Sequence, residues 1–159
     1  MKTFIIIILS LGLLSSCGYK VLDKSNLANF NIIEFNSTGD NKINFFIKNK
    51  LKNKITNSKE ENEIIIDLQT VKTKNIKEKN INNQITKYEI IIVSTVKVNF
   101  INKNVSEIIQ ISSNGNYDVV SNQAETINNQ DNLEKFLAGK ISENILSKLI
   151  ILINDLYKL

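Results

Sequence analysis

The chain contains no histidine, no proline, no tryptophan and no arginine, and it has one cysteine. Each absence closes off chemistry. Without histidine, no side chain has an unperturbed pKa near neutrality, so a ready general base and a Ser-His-Asp set are both missing. A zinc site of histidines and cysteines cannot be assembled. A single thiol cannot form an internal disulfide in any redox compartment. The five glycines are dispersed, which excludes a glycine-rich phosphate loop. Carboxylates alone remain for catalysis or metal binding, and they are scattered. The one local cluster, Glu60, Glu61 and Glu63, falls in a polar break and reads as solvated surface. The expectation is a non-enzyme with no cofactor and no metal.

What is abundant is asparagine, lysine and isoleucine, a bias that fits A+T-rich coding sequence better than a selected chemistry. Asn-rich stretches therefore carry less weight as signs of disorder. The net charge is +4, and the excess is local. Lys42, Lys48, Lys50, Lys52, Lys54 and Lys59 occur with no acid among them between Asn41 and Lys59. Lys72, Lys74, Lys77 and Lys79 follow, relieved only by Glu78. Such groups are either solvated faces or meeting points for anionic lipid or sugar phosphate. No aromatic residues interleave them in a nucleic-acid motif.

Long apolar runs are also scarce. The run near the start, Phe4 to Leu14, is preceded by Lys2 and followed by Ser15-Ser16-Cys17. It is shorter than the roughly 20 residues a spanning helix needs. A positive n-region, an apolar h-region and small residues before a cut are the parts of a secretory signal. Leu14-Ser15-Ser16-Cys17 resembles the lipobox of bacterial lipoproteins. The resemblance implies diacylglycerol on the Cys17 sulfur, cleavage before Cys17 and acylation of the new amino terminus. Residues 1–16 then form a lipoprotein signal peptide, and residues 17–159 a single lipid-anchored periplasmic domain. Gly18 after the cysteine, where aspartate would retain a protein at the inner membrane, implies the outer membrane. Several acyl chains anchor stably, since each buried CH2 adds about 0.8 kcal/mol.

In the remainder, Asn29 to Phe35 reads as a strand and Asn36 to Asp40 as a turn. Thr38 or Asp40 can cap a helix running to about Ile55. Ile43, Phe46, Ile47 and Leu51 form its apolar stripe, into which Lys50 and Lys54 intrude. Glu63 to Thr73 reads as a strand, Asn75 to Gln84 as a polar loop, and Tyr88 to Phe100 as the strongest strand, by period-two alternation and β-branched density. Val105 to Ser113 returns as the second arm of a hairpin. Asn114 to Gln130 reads as irregular. A long helix follows from about Asp131 to Tyr157, with one stripe through Ala138, Ile141, Ile145, Leu149, Leu152 and Leu156. A second band, Leu146, Ile150, Ile153 and Tyr157, either reflects isoleucine bias or awaits a partner. The fold class expected is α+β: a four-stranded, mainly antiparallel sheet with two helices packed on it, in the order β-α-β-β-β-α. The strands around Ile64 to Ile66 and Ile90 to Val93, apolar on both faces, should be central.

Leu14-Ser15-Ser16-Cys17-Gly18-Tyr19-Lys20 resembles the opening of LPS-assembly lipoproteins (LptE), which commonly begin with Cys-Gly, an aromatic and a basic residue. Tyr117 to Ala124 resembles that family's tyrosine–serine–alanine segment, followed there too by a long closing helix. The resemblance implies two helices against a four-stranded sheet. It also implies a role inside a large outer-membrane β-barrel partner (LptD-like), assisting its assembly and delivering lipopolysaccharide to the cell surface. On that reading Lys97, on the polar side of its strand, and Lys103, at the hairpin tip, would meet lipopolysaccharide phosphate as point charges, without arginine's bidentate fork. An accessory lipoprotein of another envelope lipid-transport or barrel-assembly machine is the alternative.

Overall fold

The computed structural model describes residues 30–54 and 63–157. Cys17, the leader, Glu60 and Glu61 lie outside the described residues. The order is β1 (Asn31–Gly39), α1 (Asn41–Lys54), β2 (Glu63–Lys79), β3 (Ile85–Phe100), a 3-10 turn (Ile101–Lys103), β4 (Val105–Asp118) and α2 (Gln123–Tyr157). One sheet has strand order β1-β2-β3-β4, so the α+β order inferred from periodicity is the observed one. The sheet is mixed, however. β2–β3 and β3–β4 are antiparallel, while β1 and β2 run parallel. A parallel neighbour needs a crossover, and α1 supplies it.

Both helices pack on one face. Ile64, Ile66 and Leu68 of β2 face Phe100, Val98 and Val96 of β3 in register, and all six are buried. This period-two burial is what makes β2 and β3 the central strands. Over them lie Ile43, Ile47 and Leu51 of α1 and Leu137, Ala138, Ile141, Ile145 and Leu149 of α2. Contacts between the helices advance together: Lys42 with Asp131, Lys135 over the Phe46 ring, and the Lys50 stem beside Gly139. The helices therefore run in the same direction. Lys50 is exposed, so its stem crosses the helix pair while the ammonium stays in water. Three members of the second apolar band of α2 are not left over for a partner. Leu146, Ile150 and Ile153 are buried within the domain, because α2 packs against β4 on one side and α1 on the other; the Tyr157 side chain lies outside the described residues.

Four boundaries differ from expectation. β1 continues through the expected turn to Gly39, where the chain switches to helix. Gly39 has φ +94°, and a Cβ there would lie 1.9 Å from the Thr70 carbonyl oxygen, so only glycine fits. Asp40 is the cap: its Oδ1 accepts the Ile43 N–H at 2.9 Å. β2 runs through the expected polar loop to Lys79. Cross-strand pairs such as Lys77 with Glu89, 3.3 Å apart, support it there. The turn itself shrinks to Asn80–Gln84. Asn80 Oδ1 accepts the N–H groups of Asn82 and Gln84 at 3.0 and 2.9 Å, and Asn83 takes the left-handed conformation. β4 extends to Asp118. Finally, α2 begins at Gln123, eight residues early, because Asn122 Oδ1 accepts the Ala124 N–H at 3.0 Å.

Candidate functional site

With both helices on one face, the opposite face of the sheet carries no other described element. Strand register sets its side chains in rows. One row is Asn36, Asp67, Lys97 and Ile108, one residue from each strand; the next is Thr38, Gln69, Thr95 and Gln110. A shallow groove of about 260 Å³ lies across these rows, with Asn36, Thr38, Asp67, Gln69, Thr95 and Lys97 in its lining. Asp67 is held from both sides. Its Oδ1 accepts from Asn36 Nδ2 at 3.0 Å, and its Oδ2 from Asn99 Nδ2 at 3.3 Å. Asn99 Oδ1 in turn accepts from Ser106 Oγ at 2.7 Å.

Lys97 is exposed and sits across the strand pair from Asp67. Lys103 lies in the 3-10 turn between β3 and β4, as the hairpin reading required, and is exposed. It does not line the groove. The structure thus places Lys97 in a polar groove and leaves Lys103 outside it. Glu63, the described member of the acidic cluster, is exposed at the start of β2. Amides, hydroxyls, one carboxylate and one ammonium on an open surface can hydrogen-bond a polar or anionic ligand.

A second polar constellation lies between the helices and the sheet, and local sequence patterns did not point to it. Glu134 of α2 has no exposed surface. Its Oε1 is 3.1 Å from Lys72 Nζ and its Oε2 is 2.8 Å from Lys42 Nζ; Gln130 Nε2 donates to Oε1 at 3.0 Å. Lys42 also reaches Asp131 at 2.6 Å, and Lys72 reaches Asp40 at 2.8 Å. Beside this network Lys74 lies 4.1 Å above the Tyr88 ring, which stacks on Tyr117. Lys74 and the Tyr117 hydroxyl both donate to Gln130 Oε1. Burial raises the Glu134 pKa. Hydrogen bonds from Lys42, Gln130 and Lys72 outweigh it, and the net direction is below the ordinary glutamate value. Asp40 follows the same pattern, with Lys72 and the Ile43 N–H overcoming desolvation. Burial would lower the pKa of Lys42 and Lys72, but their acidic partners raise both. Two lysines of the basic groups are therefore held by carboxylates, sharing the buried Glu134 and each taking one partly exposed aspartate. The only sequence signal was Glu134 itself, an acid one turn from Leu137 and Ala138 on the apolar side of α2.

No protein-family model matches the chain, and no curated protein matches it either. Solved structures do. Rare lipoprotein B from Shewanella oneidensis matches with a TM-score of 0.58 at 11% identity, over 78% of this chain and 98% of that one. Lipoprotein B from Nitrosomonas europaea, named as uncharacterized, matches with a TM-score of 0.53 at 12% identity, over 80% of this chain and 88% of that one. The chain shares their fold. Among the described residues, no helix is long and apolar enough to cross a membrane.

Proposed function

We propose that this protein is a lipid-anchored envelope lipoprotein that acts by binding rather than catalysis. Its Cys17 carries the acyl chains, and the domain stands on the periplasmic side of the outer membrane. There it pairs with a large β-barrel partner of the LptD kind and assists the assembly of lipopolysaccharide at the cell surface. The observation that carries this reading is a fold shared with two lipoproteins, on a chain whose leader ends in Leu14-Ser15-Ser16-Cys17. The resemblance of Cys17-Gly18-Tyr19-Lys20 and Tyr117–Ala124 to LPS-assembly lipoproteins supports the finer part. Lys97, free of any ion pair with a described residue in its polar groove, is the better placed of the two lysines for an anionic ligand.

The test has two arms. Cys17→Ala should abolish labelling by a clickable fatty acid and move the protein to the soluble periplasmic fraction; unchanged membrane partition would remove the anchor. Mild solubilisation of native membranes should bring down a large outer-membrane barrel with the wild-type protein. A monodisperse, partner-free lipoprotein would remove the assembly role while leaving the anchor standing.

A further inference from the structure

The outer surface of the helix layer, turned away from the sheet, carries charge of nearly one sign. α1 contains no acid. Between Asn132 and Ser147 of α2 the one exposed acid is Glu143. Against it stand Lys50 and Lys52 of α1 and Lys135 and Lys140 of α2, all exposed and in no ion pair with a described residue. The sheet face differs, because its charges are matched. There Asp67 lies across from Lys97, and Lys77 is 3.3 Å from Glu89.

Two phenylalanines stand among the lysines of the helix layer. Phe45 and Phe136 are 61% and 57% exposed, and contacts join them across the helix pair. Phe45 meets Phe46 edge-on, with ring centroids 6.0 Å apart. Lys135 lies 5.9 Å from the Phe46 ring and Lys140 4.6 Å from the Phe136 ring. Between them the Lys50 stem passes Gly139. The surface is therefore continuous, with aromatic rings level with ammonium groups. That combination suits the headgroup boundary of an anionic bilayer. Rings enter the apolar edge, lysines meet lipid phosphate, and their stems lie along the acyl chains. A dissolved phosphate would gain nothing from the rings.

We propose that this outer helical surface lies on a bilayer containing anionic phospholipid, with Phe45 and Phe136 in the headgroup region. The proposal rests on the Cys17 anchor of the reading above. Phe30 follows Cys17 by 13 residues, a reach of at most about 45 Å, so the tether holds the domain beside its membrane. A weak surface attraction then acts as an intramolecular contact, and each lysine near an anionic leaflet adds to it. The polar sheet face, on the other side of the domain, stays turned away from the lipid.

The test uses the mature chain, residues 17–159, with Cys17→Ala, so that neither leader nor acyl chain contributes. It should float with phosphatidylcholine vesicles containing phosphatidylglycerol at low salt and leave them at high salt. Lys52→Gln combined with Lys140→Gln should weaken binding about tenfold or more, with the melting temperature retained. Asn49→Cys, one turn from Phe45 on α1, then carries the sole thiol. A polarity-sensitive dye there should shift to the blue on binding, and the same dye at Gln110→Cys on the sheet face should not. Absence of binding to the anionic vesicles, equal binding to phosphatidylcholine alone, or a shift at position 110 without one at position 49 would overturn the surface. Shielding of position 49 in whole native membranes, but not on vesicles of their extracted lipids, would give this face to a protein and overturn the lipid assignment. Fatty-acid labelling of the wild-type protein reads the anchor separately. Loss of label with vesicle binding intact removes the anchor and leaves this surface; label without vesicle binding removes the surface alone.

Discussion

Lys72 and Glu134, 62 residues apart in sequence, meet with Nζ 3.1 Å from Oε1, and the carboxylate has no exposed surface. Lys42 reaches the other oxygen. The pairing ties the middle of β2 and the start of α1 to α2, the element that closes the chain. Removing the acid leaves Lys42 with Asp131 and Lys72 with Asp40, but the buried position loses the charge that both ammonium groups share. Glu134→Gln should cost about 2 kcal/mol, in the range for losing a hydrogen bond to a charged group. Urea unfolding curves check this through a lower midpoint at unchanged slope. Lys72→Met should cost less, because Lys42 still compensates the carboxylate.

The same network sets the acid limit of stability. Glu134, Asp40 and Asp131 have carboxyl pKa values below their ordinary values of 4.5, 3.8 and 3.8. For Glu134 and Asp40, ammonium and amide donors win against burial; for Asp131, the hydrogen bond from Lys42 leads. A carboxyl depressed in the folded state adds stability that is complete above its unfolded pKa and lost as pH falls through the folded one. The melting temperature should therefore drop as pH falls below about 4.5, and Glu134→Gln should flatten that drop. At the alkaline end Lys42 and Lys72 are raised above 10.5. Their contribution is complete below that value and disappears as pH climbs through the folded pKa. Melting curves across pH check both limbs.

Gly39→Ala should be severe. The new Cβ meets the Thr70 carbonyl oxygen, and φ is +94°. Backbone cannot yield there without breaking the β1–β2 pairing or the cap at Asp40. A loss of more than about 2 kcal/mol is expected, seen as a depressed melting temperature or as insoluble protein.

Ser94→Ala should act in the other direction. Ser94 is fully buried on the core face of β3, and its Oγ has no hydrogen-bond partner among the described residues. Its cross-strand neighbour Thr70 already donates to Asn44 Oδ1 at 2.8 Å. Removing an unsatisfied buried hydroxyl should leave stability unchanged or raise it by about 1 kcal/mol, measurable by denaturant midpoint.

Lys97→Ala separates ligand chemistry from folding. The side chain is exposed on the open face, so stability should move by less than about 0.5 kcal/mol. Retention on lipopolysaccharide-coated beads at low salt should fall, and more than for Lys103→Ala, since Lys103 lies outside the groove. Equal retention of both variants and wild type would remove the groove from the ligand reading.

The strands and helices that could be read directly were those whose burial is one-sided. Alternation from Tyr88 to Phe100 and the three-to-four-residue spacing of Ala138, Ile141, Ile145 and Leu149 depend only on which side chains leave water. Segments that read as loops were polar ones stabilised by neighbours. Asn75 to Lys79 holds strand geometry because β3 runs beside it, and Asn114 to Asp118 because β3 pairs there too. Asn-rich composition hid both, since the same residue type also builds the turn at Asn80–Gln84.

The amino-acid order by itself determined the absence of histidine and disulfide chemistry, the α+β class and the buried stripes of α2, because these follow from residue type and local period. Tertiary structure alone decided that β1 runs parallel to β2 and that Lys42 and Lys72 belong to Glu134. It alone set both described helices on one face of the sheet. Those outcomes rest on contacts between residues dozens of positions apart, and their energies depend on a burial that exists only after the helices and sheet have packed.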